Sequence, residues 1–187
     1  MSPAAPVLLA GSSIFRDWGL EPAFSSSELS ADRPVVNAAI GGTQTVDWLP
    51  TLGPLVAEVR PAVLCLYVGS NDLANGKHAD ELLRNLHRLF DNALAACPHT
   101  RLRYASILRS AHQEERFADL DRVNRAAAAD LAGRERSGFV DLNPLFHRGG
   151  RLEGHLFLDD RVHLRPEAYR RMLAAMQPVV RDAAAGI

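Results

Sequence analysis

The sequence predicts an α/β domain in which a parallel β-sheet carries helices on both faces. Three observations lead there. Five short apolar runs recur along the chain, their apolarity is continuous rather than alternating, and stretches with helical period lie between them. Continuous apolarity marks strands covered on both faces, as in a parallel sheet. Strands that alternate with helices mark the α/β architecture.

The strand candidates are Val7 to Ala10, Val35 to Ile40, Ala62 to Val68, Leu102 to Leu108 and Phe139 to Leu142. Among the helices, Leu82, Leu86, Leu89 or Phe90, and Ala93 or Leu94 repeat at three and four and form one apolar stripe. Leu120, Val123, Ala127 and Leu131 give the segment Phe117 to Leu131 the same character. A last helix opens with Pro166 in its first turn, where the missing N–H costs nothing, and runs on through Tyr169, Met172 and Met176. Gly149-Gly150 and the run Ser25-Ser26-Ser27 read as surface loops. Without a linker, an internal repeat or a low-complexity stretch, residues 1–187 read as one domain.

Composition narrows the function. Of the 187 residues, 47% are hydrophobic and 23% charged, a balance that buries a core. A net charge of −1 leaves no electrostatic footprint for nucleic acid, and no apolar run is long enough to span a bilayer. The opening MSPAAPVLLAGSS lacks the basic start and the cleavage site of a secretion signal, so it reads as the first buried strand and the protein as cytoplasmic. Cys65 and Cys97 read as buried free thiols without metal-ligand neighbours.

In open parallel sheets ligands bind beyond the carboxyl ends of the strands. The first strand candidate is followed by Gly11-Ser12-Ser13-Ile14, and the third by Gly69-Ser70-Asn71-Asp72. The second runs out through Asn37-Ala38-Ala39-Ile40 into Gly41-Gly42-Thr43, and Asp160-Arg161-Val162-His163 precedes the last helix. Alone, each has a bland explanation: a turn, a tight bend, an N-cap or Asx-turn, a surface ion pair. Together they supply the parts of acyl transfer. A serine becomes a nucleophile when a histidine takes its proton, and the histidine needs a carboxylate on its other nitrogen. Asp160 stands three residues before His163, close enough for that pairing within one turn. Gly42 can offer an approachable backbone N–H to an oxyanion and Asn71 a side-chain donor, with the Ser13 N–H as a third.

These blocks resemble those of the SGNH hydrolases, also called GDSL esterases and lipases, from Gly11 to His163. The resemblance implies Ser13 as nucleophile, Gly42 and Asn71 as oxyanion-hole residues, and Asp160 and His163 as the Asp-x-x-His pair. It further implies a flavodoxin-like three-layer α/β/α sandwich with a five-stranded parallel sheet. Trp18, shortly after the Ser13 block, is similar to the branch with platelet-activating-factor acetylhydrolase-like and lysophospholipase-like members. The sequence departs from the family's Gly-Asp-Ser, with Ser12 in place of the acid. Ser12 is expected to hydrogen-bond locally, and Asp159 to be solvated or capping.

The expected substrate is a small-molecule ester with a short acyl group; thioesters, lysophospholipids and acetylated carbohydrates are the alternatives. No cofactor and no metal is expected, and oligomeric state is not readable. A non-catalytic flavodoxin-like module is the rival of another class. It fits poorly, because the first strand ends in Gly-Ser-Ser rather than an acidic pair, and neither a P-loop nor a hydroxyl-rich phosphate loop is present. An α/β-hydrolase would need Gly-x-Ser-x-Gly, which is absent. His78, His87, His99 and His112 read as exposed. His147 and His155 are candidates to line a substrate pocket, and Arg16, Arg109 and Arg161 to stand at its mouth and attract an anionic group.

Overall fold

The computed structural model of the chain describes residues 4–18 and 26–185. Its centre is a sheet of five parallel strands: β1 (Val7–Gly11), β2 (Val35–Asn37), β3 (Val63–Tyr67), β4 (Arg101–Ala105) and β5 (Ser137–Val140). They lie in the order β2-β1-β3-β4-β5. The chain passes from β1 outward to β2 and then returns to the other side of β1 as β3. The strand order therefore reverses beside β1, and a crevice opens there at the carboxyl ends.

Side chains alternate between the two faces of the sheet, and each face has its own helical layer. Val7, Leu9, Val63, Cys65 and Tyr67 pack on one side with Phe15 and Trp18 of the first helical segment, α1 (Ser13–Asp17 with Trp18 as its cap), and with Met172, Met176 and Val180 of α7 (Pro166–Ala185). Leu8, Ala10, Leu64, Leu66 and Val68 pack on the other. Their partners are Leu52 and Val56 of α3 (Leu52–Val59), Leu82, Leu86 and Leu89 of α5 (Ala79–Ala96), and Leu120 and Val123 of α6 (Phe117–Ala132). Each fully buried leucine of this kind contributes about 1.5–3 kcal/mol. The two layers bear out the α/β/α sandwich and its five-stranded parallel sheet.

Several boundaries differ from the sequence expectation. β2 ends at Asn37 rather than Ile40, and β4 at Ala105 rather than Leu108. Beyond both points the chain continues as loops at the carboxyl end of the sheet. The edge strands β2 and β5 are only partly covered, so burial on both faces holds for the central β1 and β3. Two short helices, α2 (Thr45–Trp48) and α4 (Ser70–Ala74), follow the second and third blocks directly. Helix α5 stops where the sequence says it must: Cys97 precedes Pro98 and leaves helical geometry, with φ −145° and ψ 114°. Between β5 and α7 a two-stranded hairpin, β6 (His147–Arg148) and β7 (Arg151–Leu152), turns at Gly149-Gly150. Ser26 and Ser27 open a 3-10 turn, and Ser25 lies outside the described residues. No helix among the described residues is long and apolar enough to cross a membrane.

Candidate active site

Ser13 opens α1 immediately beyond β1. Gly11, with φ +123°, makes the turn possible: a Cβ there would stand 1.8 Å from the Tyr67 carbonyl oxygen, so no other residue fits. The Ser12 N–H then donates to that same carbonyl at 2.8 Å, which pins the serine pair to the end of β3.

The sequence places His163 150 residues away from Ser13, and the fold brings them together. The His163 Nε2 lies 3.1 Å from the Ser13 Oγ, and its Nδ1 lies 2.6 Å from the Asp160 Oδ2. The other carboxylate oxygen, Oδ1, accepts the backbone N–H groups of Val162 and His163, each at 2.9 Å. Asp160 thus fixes the turn that carries the histidine as well as the ring. Burial raises the cost of its charge, but the bonds from His163 and the two N–H groups outweigh this and hold the carboxyl down to about 2. An ionised carboxylate at Nδ1 requires a proton on that nitrogen, which leaves Nε2 free to accept the serine hydroxyl hydrogen. This is the geometry in which a serine hydroxyl can be activated for attack.

Gly42 and Asn71 follow β2 and β3, and the Asn71 amide reaches the residue after Gly42. Gly42 has φ +80° with open space where a side chain would be, so its backbone conformation rather than crowding calls for glycine. The Asn71 Nδ2 donates one hydrogen to the Thr43 carbonyl at 2.9 Å, and an amide nitrogen has a second hydrogen to give. Thr43 is held in turn: its hydroxyl lies 2.8 Å from the Ile40 carbonyl and 3.2 Å from that of Gly11, and it accepts the Trp48 indole N–H at 3.0 Å.

Other expectations fare unevenly. Ser12 was expected to hydrogen-bond locally, but its hydroxyl is buried and has no hydrogen-bond partner among the described residues. Its backbone makes the local bonds, with the Ser12 carbonyl accepting from Phe15 and Arg16 N–H. Asp159 is solvated and pairs with Arg165 at 2.8 Å. The Arg16 guanidinium lies against Gly41, next to Gly42, and bonds Asp17 at 2.6 Å. Arg161 flanks Asp160 and reaches toward Glu114 at 4.0 Å. Arg109 and His147 line a separate cavity near the ends of β4 and β5 instead, and His155 faces Glu167 at 3.9 Å. His87 is half-buried against Asp130 at 3.5 Å, while His78, His99 and His112 are exposed.

Taken alone, the Asn71-Asp72 pair had a cap or an Asx-turn as its bland explanation, and no role was expected of Asp72 itself. Asp72 sits inside α4 with no exposed surface and accepts both the N–H and the hydroxyl of Thr45. No sequence signal announces a contact between positions 27 residues apart. Cys65 and Cys97 are buried free thiols, and burial, only partly offset by Arg103, pushes Cys65 up to about 12. Burial likewise pushes Tyr67 up to about 12 against the bonds from Leu108 and Ser70, which leaves that phenol unsuited as a base. No three His, Cys, Asp or Glu side chains among the described residues come together as a metal site.

With this geometry in view, the likeness to known proteins can be placed. The chain belongs to the GDSL-like lipase/acylhydrolase family, whose model matches residues 9–171. It is 28% identical over 157 residues to platelet-activating factor acetylhydrolase IB subunit alpha1 of Pongo abelii. That match takes in 82% of this chain but 66% of the relative, so the chain spans just under two thirds of the relative's length. Among solved structures, a GDSL-like lipase from Bacteroides thetaiotaomicron superposes with a TM-score of 0.75 at 19% identity, over 96% of this chain and 89% of that one. A carbohydrate esterase family 3 protein from Talaromyces cellulolyticus gives 0.77 at 16% identity, over 97% and 98%. At such identities these two likenesses speak for the fold alone.

Proposed function

We propose that the protein hydrolyses small carboxylic esters through an acyl-enzyme on Ser13. His163 takes the Ser13 proton as the hydroxyl attacks the ester carbonyl, and Asp160 keeps the imidazole in the right tautomer and stabilises its cation. The oxyanion is held by the Gly42 N–H and the free hydrogen of the Asn71 amide, with the Ser13 N–H beside them. His163 then protonates the departing alcohol, activates water for deacylation and returns the proton to Ser13. The observation that carries this assignment is the unbroken chain Asp160 Oδ2–His163 Nδ1, His163 Nε2–Ser13 Oγ, at 2.6 and 3.1 Å.

The substrate is a short-chain ester, in keeping with the acetyl group named for the Pongo abelii relative. Residues 1–187 act as one domain in this account. The two buried unpaired thiols fit a reducing, cytoplasmic setting.

The test compares Ser13→Ala with Ser12→Ala on an acetyl aryl ester. Ser13→Ala is expected to lose roughly 10⁶-fold in kcat. Ser12→Ala is expected to stay near wild type, because the hydroxyl it removes has no bond to lose. Full activity in Ser13→Ala overturns the assignment.

A further inference from the structure

We propose that Asp72 is a positioning residue that holds the two oxyanion donors in register with each other. The inference rests on the assignment of Gly42 and Asn71 to that role and goes beyond it, since Asp72 touches neither the ester nor Ser13.

The two donors come from different segments, Gly42 from the turn after β2 and Asn71 from α4 after β3, and nothing in their sequence separation fixes the distance between them. Two rungs cross from one segment to the other. The first is the bond from the Asn71 amide to the Thr43 carbonyl at 2.9 Å. The second lies one step deeper: the Asp72 Oδ2 accepts the Thr45 N–H at 2.9 Å, and the Oδ1 accepts the Thr45 hydroxyl at 2.6 Å. Donors and anchors are thus neighbours on both sides, Asn71 with Asp72 and Gly42-Thr43 with Thr45. Each segment is gripped at the oxyanion position and again just behind it.

Asp72 and Thr45 have no exposed surface, and a side chain from a third element completes the joint: the Asn85 Nδ2 of α5 donates to the Thr45 hydroxyl at 3.0 Å. Lys77 approaches the carboxylate to 3.7 Å, so a negative charge held near a developing oxyanion is met by a positive one. Burying a carboxylate is costly unless its lone pairs are used. A core valine opposite Thr45 would hold the segments together without that cost, but it would set no distance between them. The directional bonds of Asp72 do set one, and misplacement of a catalytic group by about 1 Å costs on the order of 10²-fold in rate.

The experiment compares Asp72→Asn, Thr45→Val and the conservative Thr45→Ser on a neutral acetyl aryl ester, with active sites counted by titration with a fluorophosphonate. Counting sites removes any loss that comes from unfolded protein. Per competent site, Asp72→Asn and Thr45→Val are expected to lower kcat by roughly 10–100-fold with KM little changed, and Thr45→Ser to restore most of it. Asp72→Asn added to Asn71→Ala is expected to cost little further, because Asp72 works through the donor already removed. Unchanged kcat per site in Thr45→Val, or full additivity in the double variant, overturns the proposal. If Asp72→Asn does not fold, the Thr45 pair still decides. If Asn71→Ala itself leaves kcat unchanged, the oxyanion assignment is what has failed, and the positioning role falls with it.

Discussion

Two regions at the carboxyl ends of the sheet differ in what their polar groups are doing. Near β4 and β5 lies a cavity of about 480 Å³ lined by Arg109, Asp121, Asn124, Asn143 and His147 among others. None of Ser13, Gly42, Asn71, Asp160 and His163 lines it. Its polar groups are largely satisfied by the protein: Arg109 bonds Asp121 twice, Asn124 takes both the N–H and the carbonyl of Ile107, and Asn143 bonds Ser106, Ile107 and the Arg109 N–H. The crevice beside β1 is the opposite case. There the Asn71 amide keeps a hydrogen in reserve, Gly42 is exposed on a turn, and the serine hydroxyl points at an imidazole able to take its proton. The volume of a hollow says how much can enter. Unspent hydrogen-bonding capacity says where something is done to it.

The largest expected effect in the crevice, Ser13 aside, belongs to Asp160→Asn. That change keeps the shape but removes the acceptor that fixes the tautomer, and kcat on an acetyl aryl ester is expected to fall by roughly 10⁴-fold. Asn71→Ala removes one oxyanion donor and is expected to cost about 10²–10³-fold in kcat. In the β4–β5 cavity, Arg125→Ala removes a large exposed cation from the wall, and kcat/KM is expected to stay within about twofold of wild type. A loss there as large as that of Asn71→Ala would move the chemistry to the wrong region in this comparison.

The smallest effect concerns stability. The Asp160 carboxyl is held at about 2, against an ordinary value of 3.8. Its folded-state value is depressed, so its contribution is complete above the ordinary value and is lost as pH falls through about 2. The group is half exposed, so the contribution is modest. Urea midpoints of wild type and Asp160→Asn are expected to differ slightly at pH 6 and to converge near pH 2; a gap that widens in acid would mean that the carboxylate is not stabilised as described. Under the proposed mechanism activity is also expected to fall in acid, for a separate reason: an imidazolium cannot accept the Ser13 hydrogen.

The parts of the site that were legible in the sequence are those whose roles are local. Gly11 before Ser13, Gly42 in a left-handed turn and Asp160 three residues from His163 are each readable within a few positions, because the constraint acts within a few positions. A parallel sheet with helices on both faces followed from continuous apolar runs between helical stretches, but the strand ends did not. At Ile40 and Leu108 the chain stays apolar after it has left the ladder, Leu108 buried in a loop and Ile40 exposed on one. Helices α2 and α4, of four and five residues, are too short to show a period. Asp72 and Ser12 mark the limit in opposite senses. The first makes long-range bonds that no local pattern predicts; the second lies beside a strand end that suggests a bond, and its hydroxyl makes none.

The central claim is that Ser13 alone carries the acyl group, and trapping the covalent adduct tests it most directly. The protein is reacted with a fluorophosphonate, and the modified peptide is fragmented to separate Ser12 from Ser13. One phosphonyl group per chain is expected, on Ser13, absent in Ser13→Ala and retained in Ser12→Ala. An adduct on Ser12, or one that survives in Ser13→Ala, would contradict it.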